Sequence, residues 1–188
     1  MAKLPYLDPQ ANPEAAALFK ELAGSRGSVS NVLRSMLHSP EGLRRLAQVG
    51  DWSRYHTRLG ARLRELAILA IGRELPYVWG HHVHLGLQAG LPQATIDEIG
   101  HGKVPAGLSA KEKATVRYVL ELTAPDSVSD ATFKALEEEM DAGEITDLTI
   151  VSIYYLALGT LCRAWRIELD TPEMIEGALA WQKNKDRQ

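Results

Sequence analysis

RLRELAILAIGRELPYVWGHHVHLGLQAG, Arg62 to Gly90, is the stretch that decides the fold. Between Ala61 and Arg73 the apolar residues recur so densely that a helix there must be buried on most sides. Pro76 suits a first helical position, and Gly90 a left-handed stop, so a second helix is predicted from Pro76 to Ala89. Glu65 stands in the apolar run. A bare buried carboxylate is costly, so it must take up a proton or find a partner. Arg62, Arg64 or a histidine from a neighbouring helix can serve. The plainer alternative is a structural ion pair near the helix start, favoured by the helix dipole. The second helix holds Tyr77, Trp79, His81, His82 and His84. Helical spacing puts Val78, Trp79, His82, Leu85 and Ala89 on one face, and Tyr77, His81, His84 and Gln88 on another. His82 therefore points with apolar neighbours. It is either a proton shuttle, since an imidazole titrates near neutrality, or a core histidine satisfied by one hydrogen bond.

Outward from this pair the punctuation stays helical. Asn12-Pro13-Glu14 opens a helix that Gly24 is expected to stop, and Ser39-Pro40 opens one running to about Tyr55. Ser109 with Glu112 reads as a capping box for a helix ending near Leu122. Ser129 opens another, ended by Gly143; Glu144 to about Arg166 forms a long helix, and Thr171-Pro172 caps the last. GHGKVPAG, Gly100 to Gly107, reads as a loop. No alternating run is long enough for a strand. The expectation is an all-α bundle of about eight helices in a single domain over 1–188, with an N-terminal arm over 1–30 and a frayed tail over 182–188.

Composition narrows the function. The 188 residues are 45% hydrophobic and 24% charged, with a net charge of -3 and a pI near 6.1. Those values fit a globular protein with no general attraction to nucleic acid or anionic membrane. No segment looks close to the ~20 apolar residues of a membrane helix, nor to a signal peptide, so the cytoplasm is expected. The single cysteine, Cys162, excludes an internal disulfide and a CxxC pair. His81 and His84 have an HxxH spacing that Glu65 or His101 could complete, but neither HExxH nor a cysteine ligand set is present, so no metal is expected. Phosphate-loop and GxSxG patterns are also missing, and no cofactor is expected. On the long helix, Tyr154, Tyr155 and Trp165 read as core aromatics and Cys162 as a small buried hydrophobe. Arg163 either reaches the surface or anchors a carboxylate.

Several segments together resemble the carboxymuconolactone decarboxylase family, which includes the AhpD-like alkylhydroperoxidases. They are the LPYLDP start, NVLRSMLHSPEGLRRL, RLRELAILAIGR with YVWGHHVHLGLQAGL, VSDATFKAL and EITDLTIVSIYYLALGTLCRAWRIELD, in order from Leu4 to Asp170. In the peroxidase branch the resemblance implies a CxxC pair followed by a histidine on one helix, with a glutamate on the helix before. His82 and Glu65 fall on that histidine and glutamate. The cysteines fall on Leu75 and Val78, so the nucleophile is absent. By the same resemblance, many cysteine-free relatives carry Glu where this chain has Val78, and the turn between the two helices is about two residues shorter than the family norm.

What the resemblance implies instead is a decarboxylase-like lyase or an isomerase, acting without cofactor on a small carboxylated or lactone compound, as in aromatic catabolism. His82 is then the acid/base and Glu65 its orienting partner. Tyr77, Val78, Trp79, His81 and Tyr155 line the substrate, and Arg163 or Arg54 holds its carboxylate. The alternatives are a peroxidase-related oxidoreductase, which the missing CxxC opposes, and a non-catalytic small-molecule binder. The resemblance also implies a homo-oligomer, a trimer or hexamer.

Overall fold

A computed structural model describes residues 2–185. Among the described residues there are ten α-helices and no strand, in agreement with the all-α expectation. The helices are α1 (Pro13–Arg26), α2 (Asn31–Ser35), α3 (Pro40–Tyr55), α4 (Ala61–Gly72) and α5 (Pro76–Gln88), then α6 (Gln93–Gly100), α7 (Ala110–Glu121), α8 (Asp130–Glu137), α9 (Ala142–Trp165) and α10 (Pro172–Lys185). They fall into two compact units, one of residues 1–50 with 162–188 and one of residues 51–161.

In the first unit, α1 begins on Pro13 under the Asn12 side chain, which accepts from the Ala15 amide at 2.7 Å. The helix runs through Gly24 rather than stopping there. Its end is at Gly27, whose φ of 73° is the left-handed conformation that only glycine takes without strain. The Arg26 guanidinium donates to the Ala47 carbonyl at 2.9 Å and joins α1 to α3. Asp170 Oδ1 accepts from the Asn31 amide at 2.7 Å, and the Asn31 side chain donates to the carbonyls of Glu168 and Leu169. The tail expected from residue 182 is helical to Lys185, and its last three residues lie outside the described residues.

The second unit is built around α4. Every residue from Glu65 to Gly72 is buried, which is why the run carries no polar face. Helices α5, α6 and α7 pack on α4, and α8 packs on α7. The capping box is present: Ser109 Oγ accepts from the Glu112 amide and Glu112 Oε2 from the Ser109 amide at 2.9 Å. Gly143 does not end α8, which stops at Glu137; it lies in the first turn of α9, behind Asp141, whose Oδ1 accepts from the Glu144 amide. Two helices escaped sequence reading, α2 because it is short and α6 because it follows Pro92 without a side-chain cap.

One expectation is corrected by α9. By length and composition it is apolar enough to cross a membrane, although a core helix passes the same test. Here Leu148, Val151, Ser152, Tyr155 and Leu158 are buried along one side, while Ile150 and Ile153 are exposed.

Candidate functional site

The buried carboxylate of α4 and the buried imidazole of α5 meet. His82 Nδ1 lies 2.7 Å from Glu65 Oε2, across 17 residues of chain, and the two residues are 6% and 5% exposed. A carboxylate can only accept, so Nδ1 carries the hydrogen and Nε2 keeps its lone pair. Burial pulls the imidazole below its usual 6.5; the Glu65 charge and hydrogen bond oppose that pull without overcoming it, and the Arg54 charge adds to it. His82 therefore rests neutral at pH 7, with a basic nitrogen ready.

Of the partners foreseen for Glu65, the neighbouring-helix histidine is the one that bonds to it. Arg64 Nε stands 3.9 Å from Glu65 Oε1, within ion-pair range but without a hydrogen bond. Arg62 turns away to Glu112, at 2.6 Å.

Tyr155 of α9 is buried and sets its ring edge-on to His82, with centroids 4.7 Å apart, and Tyr154 packs edge-on against Tyr155 at 5.1 Å. Burial raises the Tyr155 phenol far above its ordinary range, so it stays protonated. Arg54, at the end of α3, is half-buried; burial opposes its charge, but its electrostatic surroundings, the Glu65 carboxylate among them, outweigh that and hold the guanidinium above its ordinary range.

The remaining sequence-chosen residues spread over α5 and α9. Tyr77 is buried, which departs from the polar stripe read from the sequence, and its ring stacks on His81 at 4.6 Å. His81 Nδ1 donates to the Tyr77 carbonyl at 2.9 Å. Val78 is 2% exposed and wedged between two glycines: a Cβ at Gly72 would come within 2.7 Å of its Cγ1, and one at Gly159 within 3.0 Å of its Cγ2. The position that the resemblance gives to a thiol or a carboxylate thus holds two packed methyl groups. Trp79 is half-buried, its indole lying over Gly100 of α6. His84 and Arg163 are exposed, and Arg163 belongs to the first unit.

Among the described residues no group of three His, Cys, Asp or Glu is placed to hold a metal ion. Cys162 is 3% exposed, and burial pushes its thiol up to about 12. Sequence reading passed over Ser53, which is fully buried on α3 one residue before Arg54.

No family model matches the sequence, and no curated protein matches it either. Solved structures do match in shape. A peroxidase-related protein from Ralstonia eutropha JMP134, described as an alkylhydroperoxidase AhpD core, has a TM-score of 0.76 at 17% identity, covering 93% of this chain and 94% of that one. A peroxidase-related protein from Silicibacter sp. TM1040 gives 0.75 at 17% identity, over 92% of each chain. The debrominase Bmp8, as a cysteine-to-alanine variant in complex with 2,3,4-tribromopyrrole, gives 0.75 at 10% identity, covering 94% of this chain and 95% of that one. Likeness at this level of identity speaks for architecture, and on it the chain has the AhpD-like helical fold.

Proposed function

We propose that this chain is a cytoplasmic, cofactor-independent lyase or isomerase that moves a proton to or from carbon on a small carboxylated or lactone compound, with His82 as the base and Glu65 as its positioning partner. The observation that carries the reading is the buried 2.7 Å contact between His82 Nδ1 and Glu65 Oε2. Glu65 fixes the tautomer and stabilises the imidazolium that forms when Nε2 takes a proton, the service a buried carboxylate gives a histidine in hydrolytic triads. The buried walls strengthen that interaction and keep water from competing for the proton.

Two reaction forms differ in how they begin. In an isomerisation, Nε2 removes a proton from a carbon beside a carbonyl and returns it to another carbon. The neutral resting imidazole fits that order directly. In a decarboxylation, CO2 leaves first and the carbon needs a proton, so the imidazole has to be charged beforehand. The lowered His82 pKa favours the first form. The debrominase neighbour was crystallised with a small halogenated ring, which fits a fold that accepts compact cyclic substrates. A thiol mechanism finds no support, because Cys162 is buried with its pKa raised.

The test is turnover of small carboxylated lactones. His82→Ala should lower kcat by ~10²–10⁴-fold, and Glu65→Gln by ~10-fold or more through loss of the fixed tautomer. The rate should rise with pH through a pKa below 6.5 if proton abstraction comes first, and fall with pH if an imidazolium must donate. Turnover untouched by both substitutions sinks the assignment. Assembly as a trimer or hexamer belongs to the same proposal, and sedimentation reads it.

A further inference from the structure

Helices α5 and α9 press together one turn away from the dyad. A Cβ at Gly159 would come within 3.0 Å of Val78 Cγ2; Gly159 lies one turn beyond Tyr155 on α9, and Val78 one turn before His82 on α5. That close approach sets the register in which the Tyr155 and His82 rings meet at 80°, with centroids 4.7 Å apart. Glu65 occupies Nδ1 of the imidazole. Among the described residues Nε2 has no hydrogen-bond partner, and neither has the Tyr155 hydroxyl. Both residues keep a small opening to solvent, 6% for His82 and 5% for Tyr155. Neither of these two atoms is shut away from solvent without a partner, as Ser53 Oγ and Arg64 Nε are.

A buried phenol usually gives its proton to a neighbouring group, because a hydrogen bond left unmade after desolvation is costly. Here it does not, and the ring it touches is an imidazole whose second nitrogen is equally unused. The two atoms are complementary. Burial keeps the phenol protonated, so the hydroxyl has a proton to give. The Glu65 bond fixes the hydrogen on Nδ1, so Nε2 has a lone pair to offer. They do not bond each other, yet the covalent reach of two touching rings keeps them within the span of one small molecule. A ligand that serves both needs an acceptor oxygen for the phenol and, next to it, a hydrogen for the base. An enolisable carbonyl has both: its oxygen accepts, and the carbon beside it carries the acidic hydrogen.

We propose that the Tyr155 hydroxyl is the hydrogen-bond donor to the substrate's carbonyl oxygen, so that the site takes compact ketones or lactones with an acidic hydrogen beside the carbonyl. This deepens the acid–base reading of His82 and rests on it. Nε2 removes the proton from that carbon, the C–H electron pair becomes a carbon–carbon double bond, and the carbonyl π pair moves onto oxygen. The phenol's hydrogen bond strengthens as the oxygen becomes an enolate, so it stabilises the transition state more than the ground state. The imidazolium returns the proton to the same carbon or to another, and no oxidant, reductant or further reactant is consumed. Tyr155 is thereby a catalytic residue and not only a wall of the site.

The probes are cyclopentanone with an isotope-labelled carbonyl and methylenecyclopentane, which has the same shape and no oxygen, each titrated into the whole chain. The ketone should bind, and the hydrocarbon should bind ~10-fold more weakly for want of the hydrogen bond. In the infrared, the bound carbonyl should absorb at lower frequency in wild type than in Tyr155→Phe, a substitution that removes the hydroxyl and keeps the ring. In deuterated buffer the protein should speed exchange of the hydrogens beside the carbonyl. Tyr155→Phe should slow that exchange ~10²-fold or more, as for loss of one oxyanion donor. No binding of the ketone, hydrocarbon binding as tight as the ketone's, or a carbonyl frequency equal in wild type and Tyr155→Phe would each overturn the donor. So would exchange that wild type and Tyr155→Phe speed equally. Should Tyr155→Phe not fold, a carbonyl bound to wild type that absorbs where it does in a hydrocarbon solvent overturns it as well. His82→Gln keeps the two readings apart. Exchange that survives in His82→Gln, or that wild type does not speed at all, sinks the dyad, whereas the infrared difference between wild type and Tyr155→Phe judges the donor by itself.

Discussion

His82 has a thermodynamic signature that can be measured without a substrate. Its folded pKa lies below the ordinary 6.5, so as pH falls the unfolded chain binds the proton first. The stability it contributes is fully present above 6.5 and is lost as pH drops below that value towards the folded pKa. Urea denaturation in a pH series should show wild-type stability declining across that window, and His82→Gln should flatten the decline; a variant with the same slope as wild type would refute the buried neutral imidazole. Val78 makes a second residue-scale case. Its methyls sit where Gly72 and Gly159 leave no room for anything larger, so a carboxylate there is both overpacked and unpaired. Val78→Glu, the residue that the resemblance associates with this position, is expected to cost about 3 kcal/mol or more, read as a lower denaturation midpoint. Glu65 and His82 were both visible in the sequence as polar residues among apolar neighbours. Their bond was not, because nothing in local spacing fixes the relative rotation of two helices.

At the scale of elements, the helices with strong local signals are the ones the sequence placed well. Ser109 and Glu112 satisfy the first amides of α7, and the box is legible because it is made within four residues. Ser109→Ala should cost about 1 kcal/mol in thermal or chemical denaturation. The glycines were harder to read. Gly24 and Gly143 look like stops, yet a glycine ends a helix only where the chain needs a left-handed residue, as at Gly27. Gly159 shows the other use, inside α9, where a Cβ would come within 2.7 Å of Leu75 Cδ1 and 2.9 Å of its Cβ. Gly159→Ala should therefore force α9 and the start of α5 apart, at about 1–3 kcal/mol. Such an approach between residues so far apart in the chain leaves no trace in local sequence.

At the scale of the whole molecule, the fold is shared with peroxidase-related proteins while the thiol equipment is missing. The full chain, mixed with a hydroperoxide and a dithiol reductant, is expected to consume no more peroxide than the reductant alone. Consumption above that background, abolished by alkylating Cys162, would restore the oxidoreductase reading. Native Cys162 should itself react sluggishly with thiol reagents and fast after unfolding, since it is buried and its thiol is raised to about 12.

The sequence by itself determined the helical class, the placement of the longer helices, the absence of a cysteine pair and the two residues worth watching on α4 and α5. Those features are local: periodicity, caps and residue identity are set within a few turns of chain. Only the tertiary structure decided that Glu65 bonds to His82 rather than to Arg62, that Val78 is packing, and that Tyr155 sets its ring against the imidazole while Arg163 stands exposed. Each of those depends on how distant helices are rotated and how closely they approach, which is settled by the burial of whole faces and not by any one stretch of sequence.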